Sequence, residues 1–277
     1  MKLELQCVNI IKRPSSTCKT PYVADICINN ETKLAHAPAL GCCGLSDKDK
    51  TVMVSKLNNQ KTKCDYRIEL ATFYEREKKI IVGINPKLAE NIVNNLLNLK
   101  QLSFLQDYKL FKKEQKILNS RFDFYGIDKN NREFYMEIKN VPLADYVDVP
   151  KKERKNFNGI ELSKDINDKI AYFPDGYRKS GTEIVSPRAL KHIEELEVIA
   201  KTTKYRTIMC FVVQREDVSH FQPSNIDPIY KEAVKKAWLN GVEIRAIQVV
   251  WDETGNCSLK NDNLPVVLFE SYGPFNI

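Results

Sequence analysis

The sequence predicts an α+β / α/β chain in two parts: a small OB-like β-barrel, then a mixed β-sheet flanked by helices. Three observations predict it. Residues 22–84 hold short runs of alternating character separated by turn signals. Pro86 then opens a run with helical apolar spacing. Beyond residue 111, strand-like and helix-like runs follow one another.

Residues 1–85 are expected to form the first part. YVADICI, KLAHA, TVMVSKL, YRIELATFY and KIIVGI read as five short strands, enough for a small barrel or sandwich, with an OB-like barrel as one candidate. Leu88, Ile92, Val93, Leu96, Leu97 and Leu99 fall largely on one helix face, so residues 86–110 read as a helical connector. Residues 111–277 form the second part. SRFDFYG and REFYMEIKN are strands joined across IDKNN. Residues 144–186 lack clear periodicity, carry the cluster KKERK, and read as an insertion. Ser186 and Pro187 suit the N-cap and first turn of a helix. RTIMCFVVQ has the continuous apolar character of a buried strand. Asp227-Pro228 opens another helix, which Gly241 closes before the strand VEIRAIQVVW.

Bulk properties narrow the partners. The chain has 277 residues, 43% of them hydrophobic, within the globular range. Its formal charge of +7 favours polyanionic partners, but basic and acidic residues are intermixed and charge alone decides nothing. The opening MKLELQCVNIIKRP lacks a secretory pattern, and no run approaches the roughly 20 apolar residues of a membrane span. A cytoplasmic location without membrane contact is expected. The eight cysteines include no C-x-x-C pair and lie far from the three histidines, so free thiols are expected rather than a zinc site. Homodimerisation is left open.

The chemistry concentrates in the strands carrying RFDF and FYMEIK. Alternation puts Glu137 and Lys139 on one face, with Met136 and Ile138 on the other. It puts Asp123 opposite Phe122 and Phe124. A hairpin symmetric about Asn130 sets Asp123 across from Glu137, where like charges repel. A divalent cation, Mg2+ or Mn2+, would relieve that repulsion, since Mg2+ commonly takes one or two carboxylates, waters and phosphate oxygens. Lys139 could orient a water or stabilise charge developing on phosphorus. Asp…Glu-x-Lys is thus coherent for metal-dependent phosphodiester hydrolysis. As a bare pattern it is common, and charged residues on a solvent-facing hairpin would look the same.

Several motifs in order extend the reading: AHAPALG from Ala35, KTKCDYRIEL from Lys61, VGINPKLAENIV from Val82, SRFDF…FYMEIKNVPL, FPD at Phe173, KHIEEL at Lys191, FVVQR at Phe211, and IDPIYKEAVKKAWLNGVEIRA. Together they resemble the sugar fermentation stimulation protein A (SfsA) family over nearly the whole chain. The resemblance implies an OB-like domain followed by a PD-(D/E)xK nuclease-like domain and a nucleic-acid partner; DNA is placed ahead of RNA, with the choice between them left open. It assigns Asp123, Glu137 and Lys139 to the active centre, with Glu114 as a further metal ligand and Gln214 beside the site. A non-catalytic DNA-binding regulator is the alternative. The family's AHCPNTG stretch is AHAPALG here, which puts in doubt contacts made by polar groups now replaced by Ala37, Ala39 and Leu40.

Basic and aromatic positions supply candidate nucleic-acid contacts: His36, Lys61, Lys63 and Arg67 in the first part, Lys191 and His192 in the second. Ordinary exposed strand and helix positions explain them nearly as well. Asp175 could ligand a metal, although FPDG is an adequate turn.

Overall fold

The structure, a computed structural model, describes residues 1–39, 42–58, 62–150, 152–174 and 184–269. Lys61, Lys151 and Asp175 lie outside the described residues.

The N-terminal strands are β1 (Gln6–Lys12), β2 (Val23–Ile28), β3 (Glu31–His36), β4 (Thr51–Lys56), β5 (Tyr66–Glu75) and β6 (Lys78–Gly83). β1 pairs antiparallel with β2 and β4, β2 with β3, and β4 with β5. A short parallel pairing, Ala35↔Tyr66 and His36↔Arg67, joins β3 to β5. The ring β1–β2–β3–β5–β4 is therefore closed, as an OB-like barrel requires. The sequence reading missed β1 and gave its place to KIIVGI, which instead extends β5 outside the ring. In QCVNIIK only Val8 and Ile10 point inward, while Cys7 and Ile11 are exposed apolar residues that blur the alternation. Ile26, Val52, Val54, Ile68 and Val82 fill the barrel.

α1 (Pro86–Asn98) begins where sequence chemistry says it should: the Asn85 side chain accepts from the Lys87 N–H at 3.1 Å, and Pro86 occupies the first turn. Leu88, Ile92, Val93, Leu96 and Leu97 are buried on it. Leu99, expected on that face, stands at the C-cap and is 58% exposed. The buried face packs at once against the outside of the barrel (Met53, Leu70, Ile81) and against the second sheet (Phe124, Met136, Ile208, Ile247).

The remaining elements are β7 (Tyr108–Ile117), β8 (Ser120–Asp128), β9 (Glu133–Val141), β10 (Ala144–Asp145), α2 (Ile160–Ser163), β11 (Lys169–Phe173), α3 (Pro187–Thr202), β12 (Arg206–Val213), β13 (Val218–Pro223), α4 (Pro228–Leu239), β14 (Glu243–Trp251) and β15 (Cys257–Asn261). The main sheet runs β15-β14-β12-β9-β8-β7, with a parallel centre of β9, β12 and β14. The central strands are apolar on both faces because α1 covers one, and α3 and α4 the other. The segment read as an insertion carries β10 and β11 of a second, three-stranded sheet, in which β11 pairs parallel with β13. Its short strands explain the missing periodicity.

Candidate active site

The β8–β9 ladder runs Ile127↔Glu133, Gly126↔Phe134, Tyr125↔Tyr135 and Phe124↔Met136, the symmetry about residue 130 that the sequence suggested. Continued one step, it brings Asp123 to Glu137. There the ladder ends, and the Asp123 carboxylate accepts the Ile138 backbone N–H at 2.7 Å in place of a strand partner. The β7–β8 pairing has a gap at the same level, between Lys113↔Phe124 and Gln115↔Phe122. Alternation fails here too. Phe122 and Phe124, expected on one face, enter different cores, Phe122 with α3 and Phe124 with α1. β8 thus turns about its axis at Asp123, freed from pairing on both sides.

Glu137 projects from the centre of β9 towards α3 and is only 3% exposed. Its Oε1 accepts from Lys139 Nζ at 2.5 Å and from His192 Nδ1. Its Oε2 is buried with no partner among the described residues. Burial pushes the Glu137 pKa up, but the His192 hydrogen bond and the Lys139 charge outweigh it, and the net shift is downward. Asp123 goes the other way. Burial, then repulsion from Glu137, lifts it to about 7 against the pull of the Ile138 N–H. Two facing carboxylates thus differ in proton affinity near neutral pH, one held ionised and one close to half-protonated.

A cavity of about 430 Å3 opens over this pair. The main sheet contributes Asp123, Glu137, Lys139 and Asn140, and α1 contributes Pro86 and Glu90. The barrel supplies Ala39 and Cys42, and Ser186 and Arg188 close the side at the start of α3. Asp123, Glu137 and Lys139 therefore converge, with walls from both parts of the chain. Among the described residues no three His, Cys, Asp or Glu side chains form a metal cage. A cation here would rely on one or two carboxylates, completed by water and substrate oxygens, a coordination that suits Mg2+.

The other expected residues are placed differently. Glu114 stands opposite Asp123 in register, but its side chain pairs with Arg121 at 3.1 Å on the exposed surface, outside the cavity lining. The acid that does line the cavity is Glu90, whose charge also raises Asp123. Gln214 ends β12 beside the site as expected, yet it is fully buried and spent on both ends: Nε2 donates to Asn140 at 2.6 Å, and Oε1 accepts from Trp251 at 3.0 Å. It reaches the cavity only through Asn140. His192, expected as a nucleic-acid contact, is buried beneath Glu137 and unavailable to a polymer. Lys191, its neighbour, is exposed and donates to the Asn119 carbonyl at 2.9 Å.

On the barrel, His36 and Arg67 are neighbours across the β3–β5 pairing, and Arg67 keeps 40% of its side chain exposed while bonded to buried Glu69 at 2.7 Å. Lys63 is exposed in the loop before β5. Sequence reasoning missed Glu90 because a helix-to-strand approach leaves no spacing signal. It missed the buried role of His192 because charged neighbours in KHIEEL suggested a surface.

Comparison with known proteins gives a consistent picture. The chain matches the family described as "Sugar fermentation stimulation protein RE domain" over residues 87–151 and 153–255. The sugar fermentation stimulation protein homolog of Alteromonas mediterranea is 31% identical over 257 residues, covering 89% of this chain and 92% of that one. The homolog of Clostridium acetobutylicum is 28% identical over 245 residues, covering 88% and 89%. Among solved structures, that of Pyrococcus furiosus SfsA in complex with Ca2+ aligns with a TM-score of 0.72 over 96% of this chain and 99% of that chain. At 20% identity, that likeness concerns the fold. Among the described residues no helix is long and apolar enough to cross a membrane.

Proposed function

The chain belongs to the sugar fermentation stimulation protein family, and from its geometry we propose that it binds nucleic acid, DNA in the first instance, and hydrolyses phosphodiester bonds with a divalent cation. The observation that carries the proposal is the convergence of Asp123, Glu137 and Lys139 on one cavity, with their ionisation states split. The likeness to PD-(D/E)xK nucleases rests on the same three residues.

The donor set fits Mg2+ or Mn2+. Buried Glu137 Oε2 has no partner among the described residues, a costly arrangement that a cation relieves. Asp123, kept partly protonated by burial and then by repulsion from Glu137, would ionise once a cation offsets both. Ca2+ in the Pyrococcus furiosus relative supports a divalent ion on this fold. When bound, such an ion supplies Lewis acidity towards a phosphate oxygen and an attacking water. The protein's own contribution is positional. Lys139, anchored on Glu137, presents an ammonium where negative charge develops. Glu90 and Asn140 line the cavity beside it. Exposed Lys63 and Arg67 on the barrel and Lys191 on α3 would meet the polymer backbone as cations, while His36, whose pKa burial and the Arg67 charge lower, would meet it as a neutral hydrogen-bonding group.

Incubating purified protein with labelled DNA and RNA, with and without Mg2+ or Mn2+, tests this directly. Metal-dependent cleavage is expected, reduced about a hundredfold or more in Glu137→Gln and Lys139→Ala. Equal cleavage by the wild type and both variants refutes the assignment. The relatives' names, which speak of stimulating sugar fermentation and not of cleavage, favour a second reading, a DNA-binding regulator without catalysis. It predicts salt-sensitive DNA binding that survives Glu137→Gln, and no cleavage at all.

A further inference from the structure

Glu137 is gripped unevenly: among the described residues one carboxylate oxygen takes two donors and the other takes none. We infer that His192 is a positioning residue, whose Nδ1–H fixes Oε1 of Glu137 and so reserves Oε2 for a divalent cation. The inference rests on the metal-site reading above but goes beyond it, because His192 lies under the sheet and cannot touch substrate.

The argument begins with α3. Ala189, His192, Ile193, Leu196, Glu197 and Ile199 form its buried face, so the imidazole points inward, where Glu137 and Lys139 meet it. The Phe122 ring packs on it edge-on, with centroids 5.9 Å apart, and restricts its rotation. An ionised carboxylate can only accept, so the proton in the contact sits on His192 Nδ1. Lys139 Nζ lies 3.5 Å from the same nitrogen and donates to the same Oε1, so both cationic or N–H groups converge on one oxygen. A carboxylate pinned there cannot rotate to exchange its oxygens. Partners that orient a ligand from behind typically govern affinity by about tenfold to a hundredfold.

Two variants separate positioning from packing. His192→Leu keeps a buried apolar helix residue but donates nothing. His192→Asn is the poorer helix former, yet its amide N–H can donate towards Oε1. Mn2+ titration of the whole chain, followed by electron paramagnetic resonance, is expected to show affinity about tenfold or more weaker in His192→Leu and largely recovered in His192→Asn. A purely structural role predicts the reverse order, with affinity following thermal stability. Nitrogen-15 NMR of the metal-free wild type is expected to show Nδ1 protonated and coupled to a slowly exchanging proton. Wild-type Mn2+ affinity retained in folded His192→Leu overturns the inference and leaves the site reading standing, as does an Nε2–H tautomer. No Mn2+ uptake by the wild type overturns both.

Discussion

At the scale of residues, Asp123 makes a claim about pH. Its native pKa of about 7 stands above the ordinary aspartate value, so between the two the folded chain holds a proton that the unfolded chain has released. The stabilisation is complete below the unfolded value and is lost as pH rises through about 7. Glu137 is shifted down and acts in the opposite sense, its contribution being lost as pH falls through the acid range. Metal-free wild type should therefore lose stability relative to Asp123→Asn between pH 5 and 8. Urea midpoints measured across that range check it, and parallel curves for the two proteins would discard the raised pKa. This part of the site was legible beforehand. A symmetric hairpin brings Asp123 level with Glu137, and the two-residue period of β9 sets Lys139 beside Glu137; the turn of β8 at Asp123 was not legible. Glu90 and the seat made by His192 were not legible, because they depend on how helices lie against the sheet.

At the scale of elements, the hairpin is only half of the device, and β7 supplies the rest. Its burial pattern contains no buried position, and KLFKKEQK gave no strand signal, so the sequence reading stopped at the β8–β9 pair. Tertiary pairing with β8 holds it as an edge strand. At Glu114, opposite Asp123, the backbone takes φ +56, a left-handed conformation that costs a residue with a side chain roughly 1–2 kcal/mol. Glu114→Gly should therefore stabilise the protein by roughly 0.5–1 kcal/mol, after allowing for the freedom glycine gains when unfolded. Mn2+ affinity should not change, since the Glu114 side chain is engaged by Arg121 on the surface. Calorimetry with a parallel metal titration distinguishes the outcomes: weaker Mn2+ binding would restore Glu114 to the ligand role that family resemblance implied. β1 was missed for a related reason. Strands that bury one or two side chains carry too little pattern to be seen, whereas β9 and β12 carry plenty.

At the scale of the whole molecule, the cavity exists because the barrel and the second sheet meet, and one of their contacts is especially close. The Gly83 N–H donates to the Gln214 carbonyl at 2.9 Å, and a Cβ at Gly83 would lie 2.0 Å from Gln214 Oε1 and 2.8 Å from its Cβ. Gln214 cannot swing aside cheaply, because Asn140 and Trp251 hold its two amide atoms. Asn140 lines the cavity, and Ala39 and Cys42 reach it from the barrel, so a shift at this junction is felt at the site. Gly83→Ala is expected to cost about 1–3 kcal/mol as overpacking, and to weaken Mn2+ binding and any cleavage together. Gln214→Ala removes the amide that blocks the new methyl, at the cost of leaving Asn140 and the Trp251 indole N–H without those partners. If the two positions act through one contact, the double variant should lose less stability than the sum of the single losses. A urea-based double-mutant cycle measures that difference, with buried Trp251 fluorescence as the probe. Simple additivity would mean that the barrel meets the sheet through the wider apolar cluster around α1 alone, and that Gly83 serves local backbone geometry.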